Sequence, residues 1–393
     1  AGTTACDYDE IHTMAGLQSL AIRSVVESGE VFFRRRRVGR KTVEGADGTD
    51  VELPPIQLQI LEADFLSTTK RSGILPNGNQ IIQGIEIDAR GKRVAYHFFQ
   101  EHPGGNDIVF GSRFQTVRVL AKDVLHIKRI DRPGQLRGVP WLAPVMLRLR
   151  DFDIYEDAQL KRQQCAAMFT AFIHDLAGAD TDENPQDVEL GEKLEPGMME
   201  ILPPGKDITL SNPPSADNYH EYTSVVLHSI SAGLGITNES MTGDLTDVNF
   251  TSGRMGFLEM HRNFETWRKN IVVGQMMTPT FGWFKEGLDL IGENIKGARA
   301  VHTPPRREMI DPVKETQALK MAIRSGIKTL PEAIRETGHD PDQHFAEIQE
   351  TNETLDKLEI ILDTDPRKVD NTGGSNEDVD DDPEKDTNNE NKD

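Results

Sequence analysis

The residues best placed to do chemistry form three incomplete patterns. DTDENPQDVELG sets Asp180, Asp182 and Asn184 at the alternating positions from which a calcium loop draws its oxygen ligands. Pro185 stands where such a loop needs its sharp-turn glycine, and Gly191 where it needs a bidentate glutamate, so calcium is not expected. Asp151 and Asp153 resemble a carboxylate pair for a metal. Two residues apart on a helix, however, they point to different faces, and no third ligand accompanies them. His126 lies in the strand-like run VLHIKRI, where a packed or hydrogen-bonded imidazole is expected before a proton-transferring one. GxxxxGK[ST], HExxH, CxxC and GxSxG do not occur. The expectation is a chain without catalytic residues, metal or cofactor of its own.

A different kind of segment stands out at residues 233–256, GLGITNESMTGDLTDVNFTSGRMG. It is polar and lies between two amphipathic helical stretches. Asn238, Glu239, Ser240, Thr242, Asp244, Thr246, Asp247 and Asn249 offer hydrogen bonds and negative charge. Gly243 gives backbone freedom, and Met241 and Phe250 are placed either to touch a partner or to anchor the loop.

The elements that would position this loop divide readily. Residues 7–28 place Ile11, Met14, Leu17, Leu20, Ala21 and Val25 at helical spacing. Strands are expected at EVFFRRRRV and IQLQILEADFL, a hairpin over residues 81–102 around ARGK, and further strands at TVRVL and DVLHIKRI. Residues 1–140 thus read as an α+β unit with a largely antiparallel sheet. From Pro144 no breaker occurs before Gly178, which predicts a helix of some 32 residues, about 48 Å long. Its mixed charges suit packing beside copies of itself. Residues 177–217 carry Pro and Gly punctuation with short strand candidates MMEIL and DITL, and a second helix follows over about 218–234. Thr251 or Ser252 caps a third helix, with Phe257, Met260, Phe264, Trp267 and Ile271 in a stripe. Helices around 312–325 and 331–361 lead to an acidic tail, 363–393, expected to be disordered.

The net charge of −21 argues against tight binding of nucleic acid. Residues 364–393 hold 11 acidic and 4 basic side chains, which leaves −14 for the rest. No apolar run reaches the roughly 18 residues of a membrane span. Cys6 and Cys165 suit thiols in a reducing compartment. The lack of an initiator Met suggests an N-terminally incomplete chain. In a strand, Arg34, Arg35, Arg36 and Arg37 alternate two to a face, which suits carboxylates of a neighbouring subunit better than a nucleic acid. Gly138 and Pro140, in LRGVP, are expected to set the angle between the α+β unit and the long helix.

VLHIKRIDRPGQLRGVPWLAPVMLRLRDFDIYEDAQLKR resembles the central signature of lambda-type portal proteins of tailed bacteriophages. Residues 197–262 and IDPVKETQALKMAIRSGIKTLPEAIRETGHDPDQHFAEIQE are similar to that family's continuation and C-terminal block, so the likeness runs from about residue 5 to 362. The resemblance implies a portal ring, usually dodecameric, at one capsid vertex, through which DNA is packaged and later ejected. It implies a portal fold with an α/β wing (1–140), a first stem helix (141–176) and a small β-containing clip (177–217). A second stem helix (218–236), a tunnel loop (237–251), a wing helix with its connection (252–300) and a helical crown-side region (301–362) complete it. In that loop Asn238, Glu239, Ser240, Met241, Thr242, Asp244, Thr246, Asp247 and Asn249 would face the DNA channel. Implied partners are further copies of the chain, non-specifically passing duplex DNA, the terminase large subunit, major capsid or scaffold proteins, and head-completion or tail connector proteins. The implied location is the virion, with assembly in the host cytoplasm and no membrane. Two other classes remain: a scaffold or adaptor that never encircles DNA, and a metal-dependent nuclease or protease, for which the ligands are missing.

Overall fold

Thr13 opens the first helix, α1 (Met14–Ser28), by accepting the Gly16 N–H at 3.3 Å, and Gly29 closes it. The helix therefore starts later than its periodicity suggested. The carboxylate of Asp7 accepts from the N–H groups of Asp9, Ile11 and His12, which folds the preceding residues into a non-helical turn and leaves Ile11 69% exposed. The computed structural model describes residues 3–44, 48–105, 115–167, 171–175, 206–210, 218–246, 248–293, 295, 297–305, 309, 311–362, 365 and 367. They divide into two units, residues 1–298 and 299–393.

Ten strands follow α1: β1 (Glu30–Arg37), β2 (Lys41–Glu44), β3 (Asp50–Leu53), β4 (Ile56–Glu62), β5 (Ser72–Ile74), β6 (Gln80–Ile82), β7 (Ile85–Ile87), β8 (Arg93–Phe99), β9 (Thr116–Leu120) and β10 (Val124–Lys128). They make a three-stranded sheet in the order β10–β1–β4, a β2–β3 ribbon and a five-stranded sheet β5–β9, every named pair antiparallel. The class is α+β, as expected.

The EVFF run is apolar without alternation because β1 is covered on both faces. Val31 and Phe33 pack with Leu17, Ala21 and Val25 of α1. Phe32 points the other way, into Leu61, Ile85, Tyr96 and Phe98, where its ring meets those of Tyr96 and Phe98 edge-on.

Beyond β10 the chain crosses back over the sheet before α2 (Met146–Ala167) begins. The crossing is so close that a Cβ on Gly138 would stand 2.1 Å from the Gly29 carbonyl oxygen, and one on Gly29, at φ +88°, 2.5 Å from the Val139 carbonyl carbon. Buried polar groups fix this strap. Glu30, 1% exposed, accepts from the Gly138 N–H, from Arg137 Nε and from His126 Nε2, the last at 2.9 Å. Burial holds the His126 pKa down to about 4, so the ring is neutral and its Nε2 proton goes to the carboxylate. Lys128 Nζ donates to the carbonyls of Gln135 and Leu136, while its own backbone N–H and C=O pair with the Gln275 side chain at 3.0 Å each. The expected hydrogen-bonded role of His126 is observed.

The long helix is shorter than its sequence suggested. It stops at Ala167, and Ala171–Asp175 forms β11, paired antiparallel with β12 (Lys206–Leu210), so the helix is about 33 Å long rather than 48 Å. Expected strand DITL lies in β12; MMEIL, the calcium-like pattern, most of the acidic tail and the Cys165 side chain lie outside the described residues. Next come α3 (Tyr219–Leu234), a short α4 (Asn238–Thr242) and a continuous helical run of α5 (Phe250–Trp267), a π-helical segment (Arg268–Met277) and α6 (Thr278–Ile291). Ile271, Met276 and Trp283 seat this run on the α1 side of the core.

The second unit contains α7 (Pro312–Arg324), α8 (Leu330–Glu336) and α9 (Pro341–Lys357). The helix expected over 331–361 is thus two. Gly338, at φ +85°, ends one, and the Asp340 side chain caps the next by accepting from Asp342 and Gln343.

Candidate functional site

Residues 237–249 link α3 to α5. The side chains of Thr237, Thr242, Asp244 and Asn249 bond to nearby backbone groups. Thr237 caps α4 by accepting the Ser240 N–H at 3.2 Å. Gly243, at φ +73°, ends α4 by donating its N–H to the Glu239 carbonyl at 2.8 Å. The Asp244 carboxylate accepts from the Thr246 N–H at 3.0 Å and from the Thr246 hydroxyl. These donations, the hydroxyl's first, hold the Asp244 carboxyl below the usual carboxylate range, with a smaller pull from His220. The segment therefore keeps its negative charge at neutral pH.

Asn249, rather than Thr251 or Ser252, caps α5. Its side chain accepts the Ser252 N–H at 2.8 Å while the Ser252 hydroxyl accepts the Asn249 N–H at 3.2 Å, a reciprocal box. Phe250 and Thr251 are helical. The expected loop is thus a short helix and a turn, about seven residues long, between two caps.

The expected site residues do not share one environment. Ser240, Thr242, Asp244, Thr246 and Asn249 are exposed; Asn238 and Glu239 are half-buried. Met241 turns inward against Val145, Val226 and Ile230, the cluster that joins α2 to α3. Of the two roles its sequence position left open, it takes the anchor. Phe250 is exposed. Asp247 lies outside the described residues.

Two supports escaped the sequence reading. Asn263 of α5 donates from Nδ2 to the Gly235 carbonyl at 2.9 Å, and Trp267 meets Trp141 at a 53° tilt with ring centroids 4.5 Å apart. They join α5 to the end of α3 and to the strap before α2. Phe264, with Phe257 and His261, continues this aromatic line along α5. Trp141 and Trp267 line an apolar groove of about 430 Å³ together with Ile22, Leu234, Ile236 and Phe264.

Asp151 and Asp153 are exposed on α2, and among the described residues no group of three His, Cys, Asp or Glu side chains is placed to hold a metal. No helix of the described residues is long and apolar enough to cross a membrane. Cys6 is a free, half-buried thiol whose pKa is raised by burial. The arginine run departs from its expected role in part. Arg35 is satisfied within the chain: Nε and Nη2 donate to Asp123 at 3.0 and 2.6 Å, Nη1 donates to Glu286, and the guanidinium lies 5.2 Å from the Trp283 ring centroid.

These features describe an α+β chain in which helices hold a polar, acidic segment. The family model for the lambda family of phage portal proteins matches residues 1–268, and the chain belongs to that family. Among curated relatives, the probable portal protein of Halomonas phage phiHAP-1 is 26% identical over 324 residues, covering 77% of this chain and 61% of that one. Portal protein B of Escherichia phage lambda is 23% identical over 320 residues, covering 70% and 58%. The chain thus spans about three fifths of the length of these relatives. Among solved structures, the neck of a native gene transfer agent particle, computed with C12 symmetry, is 16% identical, with a TM-score of 0.46 over 82% of this chain and 79% of that one.

Proposed function

We propose that copies of this chain close into a ring, dodecameric by the resemblance of its sequence, and that duplex DNA passes through its centre with residues 238–249 facing the passage. The observation that supports this most is the segment itself. Its two ends are tied to helices, its polar face is exposed, and it carries Glu239, Asp244 and Asp247 with no lysine or arginine between 237 and 249. A passage has to hold a polyanion centred without gripping it. Each phosphate neutralised by a cation adds a salt-sensitive hold, and carboxylates and hydroxyls supply none. Within this reading residues 1–140 are the wing, α2 and α3 the stem helices, 177–217 the clip, 252–300 the wing helix and its connection, 301–362 the crown side and 363–393 an acidic tail. The β11–β12 ribbon would mark where the stem meets the clip.

The same reading supplies the partners: the terminase large subunit during packaging, capsid or scaffold proteins during assembly in the host cytoplasm, and head-completion or tail connectors in the virion. The chain needs no chemistry of its own for any of these. Deletion of residues 240–249 tests the role of the segment. Because Met241 belongs to the α2–α3 cluster, Met241 is retained in a second variant that replaces the other residues of the stretch by a Gly/Ser linker. Both are expected to assemble and to lose packaging or retention of DNA in an in vivo complementation assay. Packaging at the parent level by both variants would refute the channel role.

A further inference from the structure

Among the described residues, half of the arginine run makes no ion pair within its own chain. Alternation in β1 sends Arg35 to the Trp283 side and puts Arg34 and Arg36 on the face of Phe32. In the sheet register Arg34 stands beside Gln59 and Arg36 beside Gln57. Both arginines are half-buried, and neither makes an ion pair among the described residues. Asp123 reaches Arg34 only through its field, its Oδ1 being taken by Arg35. Glu10, on the turn next to Gln57, is taken by Lys41. Among the described residues Arg36 Nε has no hydrogen-bond partner, and the Arg36 guanidinium lies 4.7 Å from the Tyr8 ring centroid.

Two half-buried guanidinium groups on neighbouring ladder positions repel one another and lose hydration, a cost that an incoming carboxylate would offset. Burial first, and Arg36 second, lower the pKa of Arg34. Their planar forks match a carboxylate with two parallel hydrogen bonds. We infer that the ledge of Tyr8, Arg34 and Arg36 is a receptor for carboxylate side chains of a second copy of this chain. The inference rests on the ring reading for the identity of the occupant. Charge favours a copy over a nucleic acid. The chain carries 65 acidic against 44 basic residues, so any neighbouring copy presents carboxylates in excess. A duplex would need a stripe of cations, whereas this ledge offers two on a chain of net charge −21.

The test uses the full 393-residue chain. Native mass spectrometry and sedimentation would follow the parent, Arg34→Gln/Arg36→Gln and Arg34→Glu/Arg36→Glu over a range of concentration and salt. The Gln pair removes charge without adding any and keeps the fold assessable by circular dichroism and Tm. We expect it to fold as the parent does and to raise the concentration needed for assembly by about thirtyfold or more, with the Glu pair worse still. A parent that assembles, with a Gln pair that assembles equally well, overturns the ledge and leaves the ring intact. A parent that stays monomeric at every concentration overturns both. Binding of a fluorescent duplex by the parent monomer, abolished in the Gln pair, overturns the carboxylate assignment in favour of phosphate.

Discussion

Replacing Glu30 by Gln tests whether the buried polar strap sets the start of α2. The carboxylate is 1% exposed and accepts three donors, from Gly138, Arg137 and His126. A glutamine oxygen can keep one or two of these, but its amide nitrogen is itself a donor and must face another. Arg137, mostly shielded by the sheet, then loses its counter-charge. Removing one partner of a buried pair costs about 3–5 kcal/mol, and partial exposure of Arg137 brings the figure to about 3 kcal/mol. For a unit of this size that is a fall in Tm of about 5–10 °C. Urea and thermal denaturation of Glu30→Gln, of Arg137→Gln and of the double variant form a cycle. The double variant should lose less than the sum of the singles, since the orphaned charge is gone. A loss below about 1 kcal/mol in Glu30→Gln, or strict additivity in the cycle, would show that the strap is held by packing alone.

Other outcomes follow from the same structure. Glu86, 2% exposed, accepts from Arg118 Nε at 2.7 Å and from Asn79 at 2.6 Å, and these bonds hold its pKa down to about 2. A carboxyl lowered on folding stabilises the chain above the unfolded value and loses that contribution as pH falls through the folded one. Stability of the parent should therefore decline between pH 4.5 and 2 more steeply than that of Glu86→Gln, measured by urea unfolding at fixed pH. His126, neutral with its pKa near 4, adds a loss of the same sign below its ordinary value of 6.5. Gly138→Ala puts a methyl 2.1 Å from the Gly29 carbonyl oxygen, backbone against side chain, and should cost about 3 kcal/mol or more; a variant within 1 kcal/mol of the parent would show that the crossing can open.

Much of the α+β core is readable from pattern, because burial on one or two faces dictates the period. The β7–β8 turn around ARGK, the both-faced EVFF strand and the Met14–Val25 stripe each follow from it, although positive φ at Gln83 and Gly84 folds the hairpin's expected first arm into β6 and β7. Boundaries are less readable, because they depend on single hydrogen bonds. One carboxylate, Asp7, removes a turn from α1, and Asn249 takes the cap that Thr251 and Ser252 seemed equally able to provide. The end of α2 was misread for another reason. Ala171–Asp175 contains Phe172 and Ile173, which suit a strand as well as a helix, and only pairing with Lys206–Leu210, far along the chain, decides between them. In the candidate segment the polar character was legible, but the division of labour was not. Met241 faces inward because of a cluster assembled from α2 and α3, which no local pattern announces. The arginine run was legible as alternating, yet its two faces meet different fates because Asp123, just before β10, and Glu286 and Trp283 of α6 come to one of them.

The central claim is that copies of this chain surround a passage lined by the segment between α3 and α5. Electron cryomicroscopy of the assembled 393-residue chain tests it most directly. The account predicts a closed ring with residues 238–249 at the narrowest part of its bore. A closed particle with that segment on its outer surface, or a population that remains monomeric, would contradict it.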